Sequence, residues 1–570
     1  MNKENKFKIT SNDYMDLIIR YNNNLNLLKP YENYTIQIMN EANAVIYLPV
    51  TEISTFNLME LGYYSIPNYY ALCDEQSLEA SGVQKLRRIP AINLTGKGIV
   101  IGIIDTGIDY TNPAFINEDG STKIISIWDQ TIQGDENPIA VNPTYYGTEY
   151  TAAQINQALK SPTPFDIVPS TDENGHGTMM AAIAAGSEDK ANHFSGVAPN
   201  AELMIVKLKQ AKNNLKDLYF IQKELNCYQE NDIMWGLQYI LYTARSLERP
   251  LSICFGIGTS LGAHNDYGLL NTLVALAADT PRVVLSVPTG NEGSLNRHFF
   301  SEITSESGAI GVELNIGEGE FGFTMELWGN PPMIYTMNIS SPSGEKFTVY
   351  AYRLTETQIV RFIFDPTVIY INYVLIEQIS GQQVIILRFD KPSSGIWRFD
   401  IFGKGYSKGA FHMWLPVSDL ISKNTYFLKG DPNTTITSPG NSSIAITVTA
   451  YNPENGTLYA NAGRGFSTTN IINPDLAAPG VNIIAPTLNH RYARVTGTSV
   501  AAAHTAGITA LLLEWGVVNN NYPNVDTLSL KKFLMRGAKR ESKLSYPNPD
   551  WGYGIIDVFN TFDVLRSIVW

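Results

Sequence analysis

Cysteine is scarce: three in 570 residues, at Cys73, Cys227 and Cys254, odd in number and widely scattered. That excludes a disulfide framework and a cysteine-ligated zinc site, and leaves buried thiols as the plain reading. Charge is sparse too, at 17% of residues, and it tilts acidic, with a net −13 at pH 7. A nucleic-acid binder needs the opposite balance, and the basic clusters stay as short as Lys85-Leu86-Arg87-Arg88. No apolar run has the ~20 residues of a membrane span. Residues 1–8 carry positive charge, but neither an apolar segment nor a small-residue cleavage site follows, so no secretory signal is expected. With 44% hydrophobic residues the chain is not disordered, and 570 residues are too many for one ordinary domain.

What is present gathers at the ends of apolar runs. Gly497-Thr498-Ser499-Val500-Ala501-Ala502-Ala503-His504 opens an alanine-rich helix expected to reach about residue 515. A helix start offers unpaired backbone N–H groups and partial positive charge, which suit the oxyanion of an acyl-transfer intermediate. A serine at an N-cap takes the same place for stability alone. Residues 99–110 form a buried-type strand ending in Asp105 before Thr106-Gly107, and a carboxylate there is badly solvated unless something requires it. Residues 172–183 put His176 between Gly175 and Gly177 at the start of another apolar helix. A lone histidine is ordinarily structural. Aspartate, histidine and serine at three such edges are more specific, and Asp105, His176, Ser499 follow one of the known triad orders.

These blocks, Asp105-Thr106-Gly107-Ile108-Asp109, Asn174-Gly175-His176-Gly177-Thr178 and Gly497–His504, resemble the signatures of subtilisin-like serine proteases. Gly196-Val197-Ala198-Pro199-Asn200-Ala201 and Thr289-Gly290-Asn291-Glu292-Gly293 extend the likeness over most of 80–295 and 435–565. The resemblance implies a triad of Asp105, His176 and Ser499, with Asn291 donating to the oxyanion. It implies that Cys254, Phe255 and Gly256 pair with substrate as an added strand, and that Pro288, Thr289 and Gly290 line the first specificity pocket. Asp109 and His504 are the rival residues; the first lies past the turn, and the second is rotated five residues round the helix from Ser499. Ala503 and Cys254 replace a proline and a serine common in the family.

Ahead of this body, residues 7–70 read as a small α+β unit. Residues 11–21 look helical, 34–39 and 44–50 look like a hairpin, and 51–61 follow as a helix with Thr51 as its cap. The unit resembles the propeptide of such proteases, with Ile66-Pro67-Asn68-Tyr69-Tyr70-Ala71-Leu72 as an extended tail suited to the substrate groove. An unrelated interaction domain is the alternative. Self-cleavage is expected between Gln76 and Ser77. Strands and helices then alternate to about residue 290, which means a parallel sheet with helices on both faces and a site at the strands' carboxyl ends. From about 299 to 438 short strand runs recur without a long helical pattern, as in an inserted β-sandwich or jelly-roll-like domain.

The expected α/β division is therefore 1–76 propeptide, 77–298 and 439–570 catalytic domain, and 299–438 insert. The same architecture, with Ser77-Leu78-Glu79-Ala80-Ser81-Gly82 and Trp551-Gly552-Tyr553-Gly554, is similar to the Csp germination proteases of clostridial spores. That likeness implies a self-processing serine endopeptidase, made in the mother-cell cytoplasm and spore-associated, that activates a cortex-hydrolase precursor. Its own propeptide would stay in the active site. A general intracellular subtilisin-like protease and a germination-signal sensor or pseudoprotease scaffold are the alternatives, though a pseudoprotease loses triad residues. No cofactor and no metal are expected; Asp135-Glu136-Asn137, the nearest acidic group, has too few ligands for a hard cation.

Overall fold

The computed structural model describes residues 3–52, 62–72, 81, 83, 93–134, 146–304, 308–349, 357–405 and 408–567. At its centre is an eight-stranded sheet in the order Leu476–Pro479, Ile446–Tyr451, Val283–Pro288, Leu251–Phe255, Val100–Asp105, Glu202–Lys207, Ile124–Asp129, Thr148–Thr151. Neighbouring strands run parallel except the last pair, which is antiparallel. The strands are rich in Val and Ile and buried on both faces, as parallel strands covered by helices must be. The fold is subtilisin-like, and Asp105 is the last residue of its strand, at the carboxyl edge.

The serine helix, Thr498–Leu513, packs against the His176 helix, His176–Ala185, through alanine and glycine. A Cβ on Gly507 would lie 2.9 Å from Ala184 O of the His176 helix, so small residues set the closeness of these helices. One helical run among the described residues, Thr498–Val518, is long and apolar enough to cross a membrane, and most of it is buried in the core. Length and composition therefore describe a core helix here.

The N-terminal unit holds a three-stranded antiparallel sheet with Asn43–Pro49 between Tyr14–Arg20 and Thr35–Ile38. The expected hairpin is there, but the helix expected over 11–21 is a strand. That run is short, with Asp16 and Arg20 among its apolar residues, and helical and strand periods both fit it; pairing decides. Met15, Leu17 and Ile19 enter one apolar cluster with Leu215, Trp328 and Trp414, while Ile18 enters another with Ile233, Leu237 and Leu273. Most of the expected helix at 51–61 lies outside the described residues.

Residues 298–427 carry two antiparallel sheets. The six-stranded one runs His298–Ile303, Gly409–Trp414, Gly322–Gly329, Gln383–Asp390, Val368–Val374, Gln358–Arg361. The five-stranded one runs Lys346–Thr348, Ile334–Ser340, Gly395–Lys404, Ala309–Ile316, Tyr426–Phe427. Leu314, Met325, Leu327, Ile385, Trp397 and Phe399 belong to the cluster they share. This pair of sheets also touches the N-terminal unit. Glu326, 1% exposed, accepts from Tyr63 Oη at 2.9 and 3.1 Å, Trp328 Nε1 at 2.9 Å and Gly262 N at 2.9 Å.

One carboxylate thus joins the N-terminal unit, the inserted sheets and the central body. Burial holds the Glu326 carboxyl above its ordinary value, against the hydrogen bonds that lower it. A raised carboxyl contributes stability present below its unfolded value near 4.5 and lost as pH rises through the folded one. Glu326→Gln should therefore lower the melting temperature less between pH 5 and pH 8 than the wild type does. Parallel melting curves for the two proteins would contradict this.

Candidate active site

The site is built where the Asp105 strand, the His176 helix and the serine helix meet. His176 Nδ1 lies 2.7 Å from Asp105 Oδ1, and His176 Nε2 lies 3.2 Å from Ser499 Oγ. All three residues are fully buried. Gly175, with φ 88°, caps the His176 helix in the left-handed region that glycine enters without steric cost. Gly177 lets that helix touch the Asp105 turn, because a Cβ there would sit 2.2 Å from Gly107 O. The Asp105 carboxylate accepts from Thr106 N at 2.7 Å through Oδ1. Its Oδ2 is buried with no hydrogen-bond partner among the described residues.

Asn291 stands beside the start of the serine helix. Its side-chain oxygen accepts from Thr498 N at 3.3 Å and from Thr498 Oγ1 at 3.1 Å. That fixes which end of the amide can donate, the –NH2, on a side chain held at the residue before Ser499. A base aligned on a serine, an acid-stabilised imidazole and an amide donor at a helix N-terminus are the parts of an acyl-transfer site. Asp109 is held elsewhere, accepting from Thr111 N at 3.1 Å and Thr111 Oγ1 at 2.6 Å. His504 is a packed core residue, with Nε2 2.5 Å from Ser81 Oγ.

Tyr69–Leu72 runs as a strand between two edges, antiparallel to Ile257–Gly258 on one side and to Tyr228–Gln229 on the other. The residues expected to form the first edge lie just short of it. Cys254 and Phe255 are inside the central sheet, where Cys254 faces Ile103 and Ser286 and Phe255 faces Ile104. A chain turning out of a buried parallel strand can offer an edge only after it leaves the ladder, hence the shift to 257. Gly256 marks that exit: a Cβ there would lie 2.4 Å from Asp105 Oδ2 and 2.8 Å from His176 Cε1. The second edge was not anticipated, since two residues before a helix carry no pattern of their own.

Pro288, Thr289 and Gly290 leave the end of the strand Val283–Pro288. Thr437 N donates to Thr289 O at 3.0 Å, and Ser438 pairs with Thr259 through bonds of 3.0 and 2.9 Å, so the segment 437–438 ties Thr289 to Thr259. Gly290, with φ 81°, has no room for a side chain: a Cβ would meet Thr437 Oγ1 at 2.5 Å. Behind the bound strand, Glu230 opens the helix Glu230–Ser246. It accepts from Asn68 N at 3.1 Å, Leu270 N at 3.2 Å and Tyr70 Oη at 3.4 Å, and burial raises its carboxyl. Burial also pushes the Cys254 thiol well up, with Asp105 adding to the effect, so this cysteine stays a thiol beside the site.

Gln76 and Ser77 lie outside the described residues, as do Cys73 and the acidic group at 135–137. Asn291→Ala should cut turnover on a peptide substrate by about 10²–10³ with little change in KM, since its amide serves charge that develops only in the transition state. A rise in KM at constant kcat would place Asn291 in ground-state binding instead.

A profile of the subtilase family matches residues 96–233 and 422–555. The two matched segments contain Asp105, His176 and Ser499, and the antiparallel sheets fall in the gap between them except for the short strand Tyr426–Phe427. The solved structure of the Clostridium perfringens CspB protease resembles this chain with a TM-score of 0.75 and 29% identity, covering 86% of this chain and 98% of that one. The subtilisin-like protease SBT1.9 of Arabidopsis thaliana is 26% identical over 489 residues, 78% of this chain. The C5a peptidase of Streptococcus pyogenes is 32% identical over 151 residues, 25% of this chain. The chain spans 60% of the length of SBT1.9 and 12% of that of the C5a peptidase.

Proposed function

Since this chain belongs to the subtilase family of peptidases, we propose that it is a self-processing serine endopeptidase whose own N-terminal tail occupies its substrate groove. The observation that carries this reading is the alignment of His176 between Asp105 and Ser499, at 2.7 and 3.2 Å, beside a groove that binds peptide by backbone pairing. Ser499 Oγ attacks the scissile carbonyl as His176 Nε2 takes its proton, and Asp105 stabilises the imidazolium that forms. The carbonyl oxygen, now an anion, is held by the Asn291 amide and the N–H of Ser499. His176 then returns the proton to the leaving amine, and water repeats the cycle on the acyl-enzyme.

Residues 1–76 act as the propeptide, cut from the catalytic domain between Gln76 and Ser77. Cutting alone does not open the site, because Tyr69–Leu72 remains paired on both sides after the bond is broken. The likeness to the Csp germination proteases supports a finer reading: a spore-associated enzyme kept latent by its tail, whose target is the precursor of a cortex hydrolase. The 29% identity with the CspB protease over almost all of that chain favours this over a general intracellular protease. An intact aspartate, histidine and serine in bonding distance speaks against a scaffold without activity.

Ser499→Ala should keep the fold, lose labelling by a fluorophosphonate probe and lose self-cleavage. Mapping the N-terminus of the purified wild type should find Ser77. Processing that persists in Ser499→Ala without added protease would contradict self-cleavage, and an unlabelled wild type with its tail displaced would contradict the hydrolase.

A further inference from the structure

We propose that Asp172 is a positioning residue of this site, the carboxylate that locks the His176 helix to the Asp105 turn; the proposal rests on the hydrolytic reading above. Asp172 is 4% exposed and lies four residues before His176. Its Oδ1 accepts from Thr106 Oγ1 at 2.8 Å and Gly175 N at 2.8 Å. Its Oδ2 accepts from Thr178 N at 2.9 Å and Thr178 Oγ1 at 2.7 Å. Two donors on each oxygen fill the acceptor sites of an ionised carboxylate.

The two threonines lie on opposite partners, Thr106 next to Asp105 in the turn and Thr178 on the helix. An ionised carboxylate can only accept, so each hydroxyl must spend its proton on Asp172 and turn its lone pairs outward. Thr106 Oγ1 then takes a proton from the helix, at Gly177 N, 2.9 Å away. Thr178 Oγ1 takes one from the turn, at Asp109 N, also 2.9 Å away. Turn and helix are therefore cross-linked in both directions by hydroxyls whose polarity Asp172 sets. The same turn presents Thr106 N to Asp105 Oδ1, and the same helix carries the imidazole that meets that oxygen. Asparagine fits the space, but its –NH2 would face two donors, and one hydroxyl would have to reverse and drop its backbone N–H.

A carboxylate at a helix N-terminus also stabilises the helix, and a cap alone would lower melting temperature while leaving turnover per folded molecule unchanged. The test is made on the processed full chain with its tail displaced, and kcat is counted per fluorophosphonate-labelled site. Asp172→Asn and Thr106→Val should each lower that kcat roughly 10- to 100-fold with KM little altered, the cost of a misplaced catalytic group. Their double variant should be no worse than either alone, and Thr106→Ser, which keeps the hydroxyl, should stay near wild type. The downfield proton resonance of His176 Nδ1, which needs no turnover, should move upfield or broaden in Asp172→Asn and Thr106→Val. Unchanged kcat per site with an unchanged resonance would overturn the proposal, whatever happens to melting temperature. A wild type inert to the probe would count against the hydrolase, while the response of the resonance would still decide the role of Asp172.

Discussion

A peptide strand bound between two backbone edges organises this molecule. Tyr69–Leu72 fills the gap between Ile257–Gly258 and Tyr228–Gln229. Backbone pairing on both sides supplies affinity without regard to sequence, while the side chains decide fit. Tyr69 packs edge-on against Tyr219 with ring centres 5.0 Å apart, and Tyr70 is 1% exposed with its hydroxyl toward Glu230. The nucleophile, its base and the base's aspartate are all buried, and on the proposed reading access to Ser499 requires departure of this strand.

Buried charge secures the parts that the strand brings together. Lys212 Nζ pairs with Asp16, which also accepts from Asn231 Nδ2 at 2.9 Å, across the contact between the N-terminal unit and the central body. Both members are almost fully buried, so losing either would strand the other charge, at about 3–5 kcal/mol. Glu326 does the corresponding work between the N-terminal unit and the antiparallel sheets. Interfaces made this way demand the right partner more than they add strength, which suits a unit that must stay docked in one register. The inserted sheets, with Trp328 and Trp414 in the same apolar cluster as Tyr69 and Ala71, are therefore part of how the tail is held.

Much of the site was legible because its residues sit where chemistry overrides ordinary placement. An aspartate ending an apolar strand, a histidine between glycines and a serine opening an alanine helix are costly choices that need a reason, and the structure brings all three within bonding distance. The parallel sheet and the strand-rich insert were legible from alternation and spacing. What was missed depends on tertiary pairing. Residues 14–20 mix apolar residues with Asp16 and Arg20 in a run whose period fits helix and strand alike, so only their partner at 43–49 makes them a strand. The edge at Tyr228–Gln229 is two residues long, and the edge at Ile257–Gly258 differs from Cys254–Gly256 only by where the chain leaves the central ladder. Asp172 stands two residues before the recognised block Asn174–Thr178, and its partner Thr106 lies 66 residues earlier in the chain.

The central claim is that the strand guards the serine, and the rate at which a fluorophosphonate labels Ser499 tests it most directly. Tyr70→Pro removes a backbone donor from the paired strand and the side chain that reaches Glu230, while leaving every residue of the site in place. The account predicts labelling at least about tenfold faster than in the processed wild type, as the strand's hold on the groove weakens by more than about 1.4 kcal/mol. Equal labelling rates in the two proteins would show that the strand does not control access, and would contradict the account.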